Sequence, residues 1–327
     1  MCSSSNCYVP FFNVYWIVYA ILGVTFQLSL VYLIYKKSPA TLDNLKVFLY
    51  NTASIQLSLI FFAFTSQHRI LSNRTTCAIL NMGPCRFISS TICFVNYHIY
   101  MAVNLATASA IAITVLFRFL TLVQKIVSAN QTYFMVAATY VAPFIVLIIP
   151  FTDTWDFKVV QAASAREHPS YNFSIYPNFS GFAEIEGVPF ISATIILTIG
   201  VYGIPFGCLF LTRKVLKLIR YHKRMSTKTK KQAETLIYGL IVQSMVPLVS
   251  YIPTFTCYIY IQVTGNEMLL NEHLILVSSA LPGIVDPFIS FYFIIPYRHA
   301  ILELFFPRRK TTQIVNSATN ISLSGAN

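Results

Sequence analysis

The feature that most constrains this sequence is a series of seven long apolar segments separated by short polar links. They cover residues of about 12–35, 47–65, 89–117, 132–151, 188–212, 235–263 and 273–295. A helix needs about 20 residues to cross the hydrocarbon core of a bilayer. With 56% hydrophobic and only 10% charged residues, a water-soluble chain of 327 residues would lack the polar surface to cover its core. We therefore predict an all-α integral membrane protein, a bundle of seven transmembrane helices.

The basic residues predict how this bundle is oriented. Eighteen of the 23 Lys and Arg residues lie in or beside the links that follow segments one, three, five and seven. Cytoplasmic links of membrane proteins carry such an excess, so we predict the amino terminus outside and the carboxyl terminus inside. The first 16 residues contain no Lys or Arg, so no signal peptide is expected. The net charge of +12 follows from this topology and from attraction to anionic inner-leaflet lipid, so we expect no nucleic-acid partner.

Cysteines and sequons predict two kinds of modification on the outer side. Cys77 and Cys85 share the first external link, an oxidising setting, and we predict a disulfide between them, with Cys2 and Cys7 as possible competitors. An odd total of seven cysteines leaves at least one free or paired with another chain. The sequons at Asn73, Asn172 and Asn178 would lie outside, where they can be glycosylated.

Nothing in the sequence has the pattern of an enzyme. Its six histidines and few acids form no metal-ligand spacing, and HExxH, GxSxG and phosphate-loop motifs are missing. We therefore expect no catalysis, no metal and no cofactor.

Polar side chains inside the apolar segments are costly enough to indicate either helix packing or function. Tyr97, Tyr100 and Asn104 recur at helical spacing on one face of helix three, and helix six carries further tyrosines. Each such group either hydrogen-bonds between helices or contacts a ligand, and the residues alone leave both options open. The predicted ligand contacts are Tyr97, Tyr100, Asn104, Tyr251, Tyr258 and His273.

Prolines and one carboxylate mark the places where the bundle could change shape. Helix six holds Pro247 and Pro253 directly after the most basic link, which makes it the best candidate for a moving helix. In helix seven, Asp286 precedes Pro287 and shares a small polar face with Ser279, Gly283 and Ser290. A charged carboxylate there costs on the order of 3 kcal/mol, so it is either protonated or held by hydrogen bonds, for which Asn51 or Gln56 would serve. We predict that Asp286, Pro287 and Pro247 form a switch.

The stretch after helix seven predicts a short amphipathic helix on the inner leaflet. Its apolar stripe consists of Tyr297, Ala300, Ile301, Leu304 and Phe305, ahead of Arg308-Arg309-Lys310. We predict a receptor domain over residues 1–310, including this juxtamembrane helix, and a flexible cytoplasmic tail over 311–327.

The arrangement resembles the rhodopsin-like G-protein-coupled receptors and, more closely, the nematode serpentine chemoreceptors of the Str superfamily, Srd class. The resemblance covers nearly the whole chain. It rests on YKKSP (35–39), YNTASIQL (50–57), SQHR (66–69), GPCR (83–86), FRF (117–119), MSTKTKKQAETLIYGLIVQSMVP (225–247) and DPFISFYFIIPYR (286–298).

The resemblance implies a function and a set of roles. It implies an odorant or pheromone-like small-molecule ligand, a heterotrimeric G-protein partner and residence in the ciliary plasma membrane of chemosensory neurons. Arg118 takes the place of the arginine that such receptors keep at the inner end of helix three. We predict that Arg118 contacts the G protein together with Lys228 and Lys231 of the basic link after helix five. The chain departs from that pattern where Phe117, not an acid, precedes Arg118. It also has no cysteine between 152 and 187, so the common disulfide from helix three to the second external loop cannot form.

The sequence thus favours a chemosensory receptor that binds its ligand among the outer halves of helices three, five, six and seven. The alternatives are a seven-helix ligand-gated cation channel and a transporter. Channels of insect odorant type need the opposite topology, and no internal repeat supports a transporter.

Overall fold

The computed structural model describes residues 6–38, 43–123, 127–221 and 227–305. Within them, seven helical spans are long and apolar enough to cross a membrane, which confirms the predicted bundle. Span one is Val9–Lys37, span two Asp43–Ser66, span three Ser90–Leu122, span five Val188–Tyr221 and span six Thr227–Thr264. Span four consists of Ala129–Ala138, Val141–Ile148 and a final turn Ile149–Thr152, and span seven of Leu269–Ala280 and Pro282–Phe293.

Side-chain caps begin two of these spans. The hydroxyl of Ser89 accepts from the amide of Ile92 at the start of span three. Ser128 and Gln131 form a reciprocal capping box at the start of span four. These bonds satisfy amides that a helix cannot pair in its first turn, which fixes where each span begins.

Span three lies at the centre of the bundle, packed against spans two and five along most of its length. Span one packs against spans two and seven, and span six lies between spans five and seven. This order brings spans three, five, six and seven together around a common interior.

A three-stranded antiparallel sheet covers one end of the bundle, which we call the sheet end. Its strands are β1 (His68–Ser72), β2 (Cys77–Asn81) and β3 (Ser180–Phe182), in that order. β1 and β2 form a hairpin in the link after span two, and β3 comes from the long link after span four. That link also holds a helix, Phe157–Glu167, whose first turn is capped by Asp156. The predicted all-α class holds for the bundle, and this sheet is an addition to it that the sequence did not predict.

The sheet is fastened to span seven by a buried ion pair. The Nε atom of Arg69 lies 2.6 Å from the Oε2 atom of Glu272, and the two side chains are 1% and 5% exposed. Tyr171 donates to Glu272 at 2.9 Å, and its ring lies under the guanidinium of Arg69. Burial lowers the pKa of Arg69, but the negative charge of Glu272 and the phenol of Tyr176 outweigh this effect and raise it. The link after span four is therefore held down over the bundle.

We call the opposite end, which carries most of the Lys and Arg residues, the basic end. The predicted juxtamembrane helix is present there as Ile295–Phe305. The buried hydroxyl of Tyr297 lies 2.6 Å from the Oγ atom of Ser38, at the end of span one. The basic cluster 308–310 and the predicted tail 311–327 lie outside the described residues.

Candidate functional site

A cavity at the middle depth of the bundle is bounded by spans three, five, six and seven, and we call it the central cavity. Its wall includes Asn104 and Thr107 of span three, Tyr251 of span six and Ser279 of span seven. It encloses about 40 Å³, room for one or two water molecules. The described side chains that line it carry no charge.

Two polar groups in this wall have no partner among the described residues. The amide of Asn104 makes no side-chain hydrogen bond there, and the hydroxyl of Tyr251, a residue only 8% exposed, makes none either. Asn104 is half-buried, and neither group is among the fully buried polar atoms that lack a partner, so each has free space beside it for a further hydrogen bond. Asn104 and Tyr251 are therefore suited to bind a molecule that enters this cavity.

Prolines loosen three of the four spans at the same depth. Pro205, Pro247 and Pro282 all line the central cavity, and each lacks the amide hydrogen that would bond a carbonyl four residues earlier. The carbonyl of Ser278 released by Pro282 accepts from the hydroxyl of Ser250. The carbonyl of Val201, on the cavity wall, is released by Pro205. The cavity therefore lies where the helices are easiest to bend.

The other predicted ligand contacts lie elsewhere. Tyr97 and Tyr100 pack in the aromatic core beneath the sheet, and the Tyr100 hydroxyl lies 2.5 Å from the Oγ atom of Ser279. The Tyr258 hydroxyl lies 3.7 Å from the Sγ atom of Cys77, and the ring of His273 stacks on Phe12 of span one at 4.6 Å. Of the six residues, Asn104 and Tyr251 line the central cavity. The other four pack against neighbouring helices or, for Tyr258, against the sheet, and their role as ligand contacts stays a prediction.

A second cavity lies nearer the basic end, and we call it the lower cavity. It also encloses about 40 Å³, and its wall includes Gln56, Arg118, Gln243 and Asp286. The wall on the side of span six is formed by Leu236, Gly239, Leu240 and Gln243. The structure thus brings together two residues that the sequence analysis singled out separately, Arg118 and Asp286.

A chain of amides holds Asp286, which is 1% exposed. Gln56 donates from Nε2 to the Oδ2 atom of Asp286, and its own Oε1 atom accepts from Gln27 at 2.6 Å. Gln27 also donates to the carbonyl of Gly283 at 2.9 Å, the carbonyl that Pro287 releases. Of the two proposed partners for Asp286, Gln56 is the one observed, because Asn51 instead accepts from Tyr140 at 2.5 Å.

Some polar atoms at the lower cavity, or in the amide chain behind it, are buried without a partner. They are Oδ1 of Asp286, Oε1 of Gln27, and Nε and Nη2 of Arg118. Gln27 is a residue that the sequence analysis missed, although a lone glutamine inside the apolar run of span one was a usable signal. Lys231 is exposed at the basic end, and the side chain of Lys228 lies outside the described part of the chain.

The predicted disulfide between Cys77 and Cys85 is wrong. Cys85 is bonded to Cys93, and Cys77 is a free, buried thiol whose pKa burial raises to about 12. Cys85 lies in the turn Pro84–Phe87 just before span three and Cys93 in the first turn of that span, whereas the side chain of Cys77 in β2 faces the bundle. The bond joins the turn to the span that follows it.

The three sequons differ in exposure. Asn73 is 3% exposed, and its Nδ2 atom, which would carry a glycan, uses both hydrogens to donate to Thr76 at 2.6 Å and to Ser164 at 3.0 Å. Asn73 is therefore unsuited to glycosylation in this fold. Asn172 and Asn178 are exposed in the long link, and their glycosylation stays a prediction.

Comparison with known proteins places this chain in a family. The model of the family described as "Serpentine type 7TM GPCR chemoreceptor Srd" matches residues 12–303. Serpentine receptor class delta-59 of Caenorhabditis elegans is 61% identical over 327 residues, all of both chains. Serpentine receptor class delta-50 of the same organism is 29% identical over 311 residues, 92% of each chain.

Proposed function

The chain belongs to the Srd family of serpentine seven-transmembrane chemoreceptors, and on that premise we propose that it binds a small external molecule in the central cavity and activates a heterotrimeric G protein at the basic end. The observation that carries the proposal is the pair of unpartnered groups, Asn104 and Tyr251, in a cavity bounded by four spans. The sheet end would face outward and the basic end the cytoplasm, as the distribution of Lys and Arg favours. The site of action would be the ciliary plasma membrane of chemosensory neurons.

The coupling step would use the lower cavity. Ligand binding can shift the receptor only by favouring one conformation over another. A larger central cavity requires span five or span six to move outward, and span six also forms one wall of the lower cavity. Such a movement would expose Arg118 and the basic residues beside it to a G protein.

The test is signalling in cells that express the full chain. Calcium and cAMP responses are screened against odorants and secreted metabolites, and the variant Arg118→Ala/Lys228→Ala/Lys231→Ala is compared at equal surface amount. We expect the triple variant to lose the response while binding is retained. A control, Lys158→Ala/Arg166→Ala, removes exposed charge from the sheet end and should respond normally. A normal response of the triple variant would refute this coupling site.

Orientation is tested separately with epitope tags. A tag at residue 2 should bind antibody on intact cells, and a tag at residue 327 only after permeabilisation. The reverse staining would overturn the receptor proposal, because the basic end would then face outward.

A further inference from the structure

An apolar groove runs along the side of the bundle between spans three, four and five. Its volume is about 460 Å³, and it opens sideways, toward the region that lipid occupies. Its lining is aliphatic or glycine with the exception of Ser109 and Cys208. Ile199 at its edge is 65% exposed, as is usual for a residue that faces hydrocarbon. Gly203 and Gly207 form part of its floor.

This groove and the central cavity share part of a wall. Leu105 and Gly200 line both spaces. A Cβ atom at Gly200 would lie 2.5 Å from the Cδ1 atom of Leu105, so the leucine rests directly on the bare backbone of span five. Leu105, packed on Gly200, is therefore the side chain that separates the two spaces.

Volume and access both favour a ligand that uses the two spaces together. Ligand sites in proteins measure about 300–1,000 Å³. The central cavity alone, at about 40 Å³, falls far short of that range, and the groove lies within it. In the described part of the chain, the way from the sheet end is filled by a packed aromatic core that includes Phe94, Tyr97 and Phe182. The side of the bundle is the open approach.

We infer that the ligand is a lipophilic molecule with an aliphatic chain and one uncharged hydrogen-bonding head group, which enters from the bilayer between spans three and five. The chain lies in the groove, and the head passes Leu105 to reach Asn104 and Tyr251. The head is uncharged because no charged side chain lines the central cavity to pair with it. Asn104, Tyr251 and the carbonyl that Pro205 releases offer it both donors and acceptors. The inference rests on the proposed function only in taking the central cavity as the ligand site.

Photolabelling of the purified full chain in lipid nanodiscs tests the inference. Two dodecanol probes are used, one with a diazirine beside the hydroxyl and one with a diazirine near the chain end. We expect the first to label peptides that contain Asn104 or Tyr251, and the second to label residues 199–211. Excess dodecanol should compete with both probes, and dodecanoate, which carries a charged head, should compete less well.

Substitutions that fill the groove supply the decisive variants. A Cβ atom at Gly203 or Gly207 would meet open space or ordinary contact, and both residues line the groove, so Gly203→Leu and Gly207→Leu are the substitutions chosen to fill it. We expect each to weaken labelling at Asn104 and Tyr251 about tenfold, the loss of two buried methylene contacts. Asn104→Leu should reduce head labelling and leave the groove labelled. Val249→Leu, at a 70% exposed position of span six, is the matched control and should label as the wild type does.

Other outcomes would overturn the inference. Labelling confined to the groove, or not competed by dodecanol, would mean an adventitious lipid only. Equal labelling of Gly203→Leu and Val249→Leu would exclude the groove as the binding site. If a variant does not fold, the positions labelled in the wild type still show whether the groove and the central cavity bind the probes. Because labelling needs no G protein, a labelled chain that does not signal refutes the proposed function alone. A chain that signals to other compounds without this labelling refutes the inference alone.

Discussion

Replacing Arg69 with alanine should destabilise the sheet end strongly. The substitution leaves the carboxylate of Glu272, 5% exposed, without its partner at 2.6 Å and with Tyr171 as its remaining donor among the bonds described. Removing one member of a buried ion pair typically costs about 3–5 kcal/mol, mostly because the other charge stays buried and uncompensated. At about 2.1 cal/mol/K of unfolding entropy per residue, each kcal/mol lowers the melting temperature of a 327-residue chain by about 1.5 °C, so we expect a decrease of about 4–7 °C.

The buried thiol of Cys77 allows a direct assay. It lies beneath the sheet, so thiol labelling of the peptide that contains Cys77, measured separately from the free Cys208 and Cys257, reports when this end opens during heating in detergent. The apparent melting temperature is compared at one scan rate, because membrane proteins commonly unfold irreversibly. The double variant Arg69→Met/Glu272→Leu should recover much of the loss, since an apolar pair leaves no buried charge.

A matched control separates burial from charge. Arg166→Ala removes an arginine that is 78% exposed and 3.7 Å from Glu167, a pair worth about 1 kcal/mol or less. Its melting temperature should stay close to that of the wild type. If Arg69→Ala and Arg166→Ala have the same melting temperature, the Arg69–Glu272 ion pair does not fasten the sheet to span seven.

Three further predictions concern the disulfide, a buried histidine and Asp286. Peptide mapping without reduction should find Cys85 linked to Cys93 and Cys77 alkylated only after unfolding; a Cys77–Cys85 peptide would contradict the structure. Burial lowers the pKa of His68 to about 3, so below pH 6.5 the unfolded chain takes up a proton that the folded chain does not. The free energy of unfolding should therefore fall by up to about 1.4 kcal/mol per pH unit as the pH is lowered toward 3. His68→Gln should melt with a smaller difference between pH 7 and pH 5 than the wild type, and an equal difference would exclude His68 as the source. Asp286→Asn should shift basal activity or agonist potency at unchanged surface amount, since ~1.4 kcal/mol between two states changes their ratio tenfold; concentration-response curves that overlay would leave Asp286 as a packing residue.

The bundle was predictable because each span is a run of apolar residues of membrane length, a signal that needs no knowledge of tertiary contacts. The sheet was not predictable in the same way. β3 has only three residues, Ser180–Phe182, and it forms because β2 offers a free edge more than 100 positions earlier in the chain. The pairing of Cys85 with Cys93 likewise depends on a turn that sets the two side chains close together. Both features arise from tertiary geometry.

The candidate site was only partly predictable, because it too depends on tertiary geometry. Helical spacing correctly placed Asn104 on the interior face of span three, but Tyr97 and Tyr100 share that face and are covered by the sheet. Tyr97 and Tyr100 are covered by a sheet whose residues are distant in the sequence, whereas Asn104 is not. This difference decides which residue lines the cavity and which is packed in the core. Periodicity reports which face a residue occupies and carries no information on what covers it.

The prolines connect the two cavities mechanically. Pro205, Pro247 and Pro282 weaken three spans at the depth of the central cavity, and Pro287 weakens span seven again beside the lower one. At both levels of span seven a side chain from a neighbouring span binds a released carbonyl, Ser250 above and Gln27 below. Gln27 also holds Gln56, which holds Asp286, so a bend in span seven that lengthens the Gln27–Gly283 bond alters the support of the carboxylate. Under the proposed function, a molecule that enlarges the central cavity would act on the helices where they bend most easily, and the amide chain would carry that bend to Asp286, the only acid that lines the lower cavity in the described part of the chain.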